Sequence, residues 1–300
     1  MNRFLYALVY VPAFLLALLP FRVLFFISDF LYFILYYLIR YRRKLVKKNL
    51  NNAFPEKTAK EIRKIEKNFY RHFCDYFVET IKLLHISDAQ MQEHFVFKNI
   101  EAMQSFLDKG QPVVFLLGHY GNWEWVTSIN LQLKDDPNTV FGQVYRPLKN
   151  KIFDRFFQHL RNRFRTVGFT KHNVYRDIVN FRRENKNWTL GFMSDQKPSG
   201  NQVPRLIQFL NQETPVLTGT EKIAQHTGAA VCYLDITYLK RGYYEGCILF
   251  ISDNAAETTD FEITEKYMRC LEQTIVRNPS PYLWTHNRWR LKIANNGRKK

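Results

Sequence analysis

The sequence predicts an α/β fold, a mixed and largely parallel sheet flanked by helices, with an N-terminal membrane helix in front of it. Three observations carry that expectation. Pro112 introduces Val113 to Leu117, a short unbroken apolar run of the kind that suits a strand buried on both faces. Further strand-like runs alternate with helix-like stretches, the order expected of a sheet covered on both sides. The first residues are long apolar runs almost free of charge.

In chain order, Phe4 to Leu19 is uncharged and closed by Pro20, and Val23 to Ile39 is a second apolar run broken only by Ser28 and Asp29. A spanning helix needs about 20 residues, with a lower limit of about 17. The first run, extended by Pro20 and Phe21, reaches that limit. The second run is a second span or an interfacial helix with its aromatics among the headgroups. A cleaved signal peptide competes, but no small-x-small site follows the first run. Thr58 to Glu61 fits a capping box, and Ile62, Ile65, Phe69, Phe73, Phe77 and Ile81 carry a helical pattern to about Leu84. After the strand at 113–117, Trp123 to Leu133 reads as a helix. Val140 to Tyr145, Trp188 to Met193, Ala229 to Tyr238 and Cys247 to Ile251 are strand candidates. Helical stretches lie at 150–165, 173–184, 216–227 and 261–276.

Composition narrows the class. With 46% apolar and 16% aromatic residues in a chain of 300, disorder is excluded and a sizeable core is expected. The four cysteines, Cys74, Cys232, Cys247 and Cys270, have neither C-x-x-C nor zinc-ligand spacing, and read as buried thiols of a reducing compartment. The formal charge is +17, which favours anionic partners. Arg40 to Lys44 and Lys47-Lys48 follow directly on the apolar runs. That placement favours an anionic membrane surface over nucleic acid, with the basic side cytoplasmic.

The chemistry-bearing stretch is Leu117-Gly118-His119-Tyr120-Gly121-Asn122-Trp123-Glu124. His119 follows the buried strand, and Asn122 is placed to cap the next helix, with Glu124 in its first turn. On one straight helix His119 and Glu124 would diverge by about 140°. A turn loosened by Gly118 and Gly121 can fold them together. Glu124 on one imidazole nitrogen would leave the other as a general base. A lone histidine after a strand is more often structural, so this pair decides nothing by itself. No G-x-S-x-G and no cysteine-histidine spacing of a nucleophile family is present, which fits direct attack by an acceptor hydroxyl.

These residues resemble the late acyltransferases of lipid A biosynthesis (lauroyl/myristoyl type), in the wider lysophospholipid acyltransferase superfamily. Their signature is a His, four residues and a Glu, as in His119 to Glu124. Lys48-Asn49-Leu50 with Phe54-Pro55, Val144-Tyr145-Arg146-Pro147 with Asp154 and Arg161, Ser194-Asp195-Gln196, Pro215 to Gly219 and Pro281 to Trp289 are similar to further blocks of that family, in order, over about residues 1–292. Two departures are Phe209-Leu210-Asn211, where two aromatics and a glycine are usual, and Asn287, where the first of two arginines is usual.

The resemblance implies a glycerolipid acyltransferase-like fold, with an anchor over 1–39 and an acyltransferase domain over 40–300. It implies an O-acyltransferase in which His119 deprotonates a hydroxyl and Glu124 orients it. Arg161 would stabilise the site through Glu124, a phosphate or the thioester oxygen, and Asp195 would hold the far wall. Asn122, Tyr145 and Arg146 are candidates for binding substrate, and His286 and Trp289 are structural. The implied donor is acyl carrier protein, with acyl-CoA as an alternative; the acceptor is a lipid A precursor at the cytoplasmic face of the bacterial inner membrane. No metal or redox cofactor is suggested. Acylation of another lysophospholipid or glycolipid, and a non-catalytic membrane-tethered binder, remain as alternatives.

Overall fold

The computed structural model describes residues 3–198 and 205–289. Residues 290–300 of the expected acyltransferase domain lie outside that set. The strands are β1 Phe95–Lys98, β2 Val113–Leu117, β3 Thr139–Tyr145, β4 Val167–Thr170, β5 Asn187–Met193, β6 Leu206–Phe209, β7 Gln212–Pro215, β8 Ala230–Lys240 and β9 Tyr243–Ser252. The helices are α1 Arg3–Leu18, α2 Phe21–Phe33, α3 Arg43–Ala53, α4 Ala59–Lys82, α5 Asp88–His94, α6 Ile100–Asp108, α7 Lys151–Arg161, α8 Val174–Arg183, α9 Gly219–Thr227 and α10 Glu262–Arg277.

Seven of the described strands form one sheet in the order β1-β9-β8-β2-β5-β3-β4. Every neighbouring pair is parallel except β8 and β9, which form an antiparallel hairpin. The expected mixed, largely parallel sheet is therefore what forms. β2 lies at its centre with all five residues buried, because helices cover both faces and no side of that strand meets water. β2, β3, β5 and β8 run in one direction, so their carboxyl ends open on one edge of the sheet. That edge is where open α/β sheets bind ligands.

Short elements escaped the sequence reading. β1 and β4 have four residues each and lie at the two edges, too few to show a period. α5 is a seven-residue helix opened by the capping box Ser87 to Gln90, and α6 spans nine residues. The helix expected at 123–133 is a 3₁₀ segment, Trp125–Leu131. Thr127 Oγ1 donates to the Glu124 carbonyl and Ser128 Oγ to that of Trp125; hydroxyls that take backbone carbonyls in this way compete with α-helical pairing. The β6–β7 turn places Leu210 and Asn211 at φ +51° and +59°. Two consecutive left-handed residues favour the glycine usual there, and asparagine is the side chain that tolerates that region best.

α1 and α2 lie along α4. Ser28 Oγ donates to Asp75 Oδ1 at 2.6 Å, and Arg241, in the β8–β9 turn, bridges Asp75 and Asp29. Lys82 Nζ closes the end of α1 by donating to the carbonyls of Ala17 and Leu19, both at 2.9 Å. The outward faces remain apolar: Phe4, Leu8, Val11 and Leu15 of α1, with Val23, Phe26, Phe30 and Phe33 of α2, are exposed. Phe21–Leu38, which adds a π-helical turn to α2, is long and apolar enough to cross a membrane.

Candidate active site

His119 stands two residues beyond the carboxyl end of β2, and Asp195 two beyond that of its parallel neighbour β5. The sheet register therefore brings together groups 76 residues apart. His119 Nδ1 lies 2.5 Å from Asp195 Oδ1, and the His119 backbone N–H donates to Asp195 Oδ2 at 3.1 Å. Burial alone would raise the Asp195 carboxyl. The His119 charge and hydrogen bonds and the nearby Arg288 guanidinium outweigh it and pull it down to about 2. An ionised carboxylate only accepts, so Nδ1 carries a proton, and in the neutral imidazole Nε2 is the nitrogen with the lone pair. Gln196 Nε2 lies 3.0 Å from that Nε2, and the Trp123 ring stands 5.2 Å from the imidazole, edge to face.

Glu124 does something else. Its carboxylate accepts a fork from Arg161, with Nε on Oε2 at 2.7 Å and Nη2 on Oε1 at 2.6 Å. Tyr76 Oη stands 3.4 Å from Oε1. Glu124 is 2% exposed, and a buried carboxylate needs such a pairing to stay charged. Burial works against the Arg161 charge, and Glu124 more than compensates, so the guanidinium is held well above its ordinary value. This corrects the expectation that Glu124 fixes the imidazole. Asp195 takes that position, because parallel pairing of β2 with β5 delivers its carboxylate to Nδ1 while the chain turn carries Glu124 toward α7.

Asn122 is corrected as well. Its side chain is fully buried and donates to Glu79 Oε2 at 3.0 Å. It caps no helix, and the residue at the start of the 3₁₀ segment is Glu124. Tyr145 ends β3 and Arg146 follows it. Tyr145 accepts from Gln158 Nε2 at 2.6 Å.

Two cavities flank the pair. An apolar one, lined by Phe115, Leu117, Trp123, Ile129, Val144 and Met193, has Glu124 and Arg161 in its wall. The other carries Arg146, Lys171, Ser194, Gln196, Lys197 and Thr220. Tyr145 borders both. Among the residues that sequence reasoning left without a role, Gln196 was visible as the neighbour of Asp195, whereas Tyr76 had no signal beyond its place on an amphipathic helix.

The closing segment holds the histidine loop from behind. Leu283 N–H donates to the His119 carbonyl at 3.1 Å and Gly121 N–H to Pro281 O at 3.2 Å. Asn49 Nδ2 reaches the carbonyls of Trp284 and His286, and Phe54 packs edge-on against Trp284. Trp289 Nε1 donates to Thr214 Oγ1 at 2.8 Å. The sequence blocks around Asn49, His119, Asp195 and Pro281 thus converge on one site. The family model described as bacterial lipid A biosynthesis acyltransferase matches residues 1–291. The chain belongs to that family. Its similarity to individual relatives is distant. It is 24% identical over 255 residues to the lipid A biosynthesis palmitoleoyltransferase of Escherichia coli (strain K12), covering 84% of this chain and 80% of the relative. The lipid A biosynthesis acyltransferase of Shigella flexneri matches with the same identity and coverage. Membership in this acyltransferase family gives the His119–Asp195 pair a class of reaction to be tested against.

Proposed function

We propose that the protein is an O-acyltransferase that moves a fatty acyl group from an acyl thioester, carried by acyl carrier protein, to a hydroxyl of a lipid A precursor. One observation carries this reading: His119 Nδ1 lies 2.5 Å from the buried Asp195 carboxylate, which favours the neutral tautomer with Nε2 as the lone-pair nitrogen. That nitrogen takes the proton of the acceptor hydroxyl, displacing the Gln196 amide. The alkoxide attacks the thioester carbonyl, the tetrahedral intermediate collapses, and the imidazolium returns its proton to the leaving thiolate. Asp195 stabilises the imidazolium without taking its proton. The acyl chain lies in the apolar cavity, where Arg161 in the wall supports negative charge developing on the carbonyl oxygen. The cavity with Arg146 suits the phosphorylated part of a substrate. The apolar faces of α1 and α2 hold the enzyme at the cytoplasmic face of the inner membrane, near an acceptor embedded there.

The test is transfer of labelled acyl groups to a lipid A precursor by purified protein, offered acyl carrier protein and CoA thioesters in turn. Mass spectra of lipid A from cells with and without the gene complete it. Loss of one acyl chain from lipid A is the expected result. An unchanged lipid A alongside a changed phospholipid or glycolipid would move the acceptor to that class, and no lipid change with no transfer would end the catalytic reading.

A further inference from the structure

Glu79 lies in the last turn of α4, fully buried, and takes no part in the reaction above. Its Oε2 accepts from Asn122 Nδ2 at 3.0 Å and from Tyr244 Oη at 2.8 Å. The tyrosine oxygen lies 3.1 Å from His72 Nε2. Two buried atoms of this cluster have no hydrogen-bond partner among the described residues: Glu79 Oε1 and Asn122 Oδ1. They sit on the two side chains that one hydrogen bond already joins. Both are acceptors, so an ionised Glu79 leaves both orphaned, and buried orphans of this kind are rare. A proton on Glu79 Oε1 removes the difficulty. The acid then donates to Asn122 Oδ1 while Asn122 Nδ2 donates to Oε2, and the two groups close the two-bond ring of a carboxylic acid with a primary amide. Neutral His72 donates to Tyr244, which donates to Oε2, and every member of the chain is satisfied.

We propose that Glu79 is held as the neutral acid, and that its acid–amide pair with Asn122 is the positioning contact for the loop between His119 and Glu124. Asn122 lies three residues after the histidine and two before the glutamate, so fixing it fixes the turn that separates them. The same loop rests on Tyr244 through Gly121, where φ is +62° and an added Cβ would meet Ile236 at 3.1 Å and the Tyr244 ring at 3.3 Å. The surroundings agree. Burial, then the charge of Asp75, raises the Glu79 carboxyl to about 7 against the bonds from Asn122 and Tyr244 and the charge of Arg241. Burial lowers His72 to about 3, so it brings no charge. Of the other elements packed here, β8 contributes Tyr238 and β9 Tyr244, both raised by burial first. Arg241 is engaged by Asp75 and Asp29.

The test compares wild type with Glu79→Gln and Glu79→Ala. The glutamine amide can rebuild the ring, with its nitrogen donating to Asn122 Oδ1 and its oxygen accepting from Nδ2; alanine cannot. A carboxyl that binds its proton more tightly folded than unfolded stabilises the fold at low pH and loses that stabilisation as pH rises. Relative to Glu79→Gln, the wild-type folding equilibrium should weaken roughly a hundredfold between about pH 4.5 and 7 and then level off. Infrared spectra at pH 6 should show a neutral carboxyl band that Glu79→Gln lacks. Wild-type kcat should fall above about pH 7 while Glu79→Gln holds its rate, and Glu79→Ala should be impaired throughout. A pH-independent difference, no neutral-acid band, or a glutamine variant as damaged as alanine at pH 6 would each overturn the proposal. The kinetic arm rests on the acyl-transfer reading; the unfolding and infrared arms use no substrate, so either idea can fail while the other stands.

Discussion

In the proposed mechanism His119 and Asp195 act as one unit. A carboxylate pulled down to about 2 is ionised at any working pH and holds the imidazole tautomer. Asp195→Asn and His119→Ala should each lower kcat by about 10²–10⁴-fold in folded protein, and initial rates with purified variants check this. Asp195 also makes a stability prediction. A carboxyl lower in the folded than in the unfolded state stabilises above its unfolded value and loses that effect as pH falls through its folded one. The stability gap between wild type and Asp195→Asn should therefore shrink from pH 5 toward pH 2 in urea titrations; a constant gap would show an Asp195 without this linkage. The proposed mechanism needs no cysteine. Cys74 and Cys232 are buried, and burial pushes the Cys74 thiol up to about 12, far from a reactive thiolate. Replacing all four cysteines should leave catalysis intact apart from stability losses. Stoichiometric labelled acyl-enzyme that chases into product would instead demand a covalent route.

Between elements, the Glu124–Arg161 fork joins the start of the 3₁₀ segment to the end of α7. The side chains are 2% and 17% exposed, so removing one leaves a largely buried charge unpaired. Glu124→Gln should cost about 3 kcal/mol of stability. Arg161→Met should cost a similar amount, and the double variant distinctly less than the sum. Denaturant titrations of the cycle measure this, and additive losses would mean that the two groups do not act as a pair. The helix pattern, the central strands and the His/Glu spacing were all legible in the chain, because long periodic stretches and unbroken apolar runs survive without tertiary information. β1, β4 and α5 were not, because four to seven residues carry too little pattern. The 3₁₀ segment was hidden behind hydroxyls whose backbone bonds appear only in the fold.

For the whole molecule, the proposed membrane attachment uses the same two helices that cover α4 in the fold. α1 and α2 turn apolar faces outward while their inner faces engage Asp75, Lys82 and Arg241. Phe26→Ser with Phe30→Ser should weaken flotation with anionic vesicles at both low and high salt, with unchanged circular dichroism. Lys44, Lys47 and Lys48, all exposed, add a component that salt removes. Arg42 and Arg43 contribute less to that component, since one donates to the Thr285 carbonyl and the other pairs with Glu66. Undiminished flotation of the double variant would place the contact elsewhere. Deleting residues 1–39 should do more than release the protein from vesicles, because it uncovers the inner face of α4.

The sequence by itself determined the α/β class, the apolar N-terminus with its basic collar, the order of the family's blocks, and His119 as the residue to watch. These are properties of composition and of spacing along the chain. The tertiary structure decided which carboxylate meets the histidine. Register between β2 and β5 is set by the packing of a sheet buried on both faces, and it placed Asp195, distant in the chain, on Nδ1. It sent Glu124, five residues away, to Arg161, and it turned Asn122 inward to Glu79. A side chain's partner depends on where the other strands and helices arrive, and spacing along one segment does not contain that information.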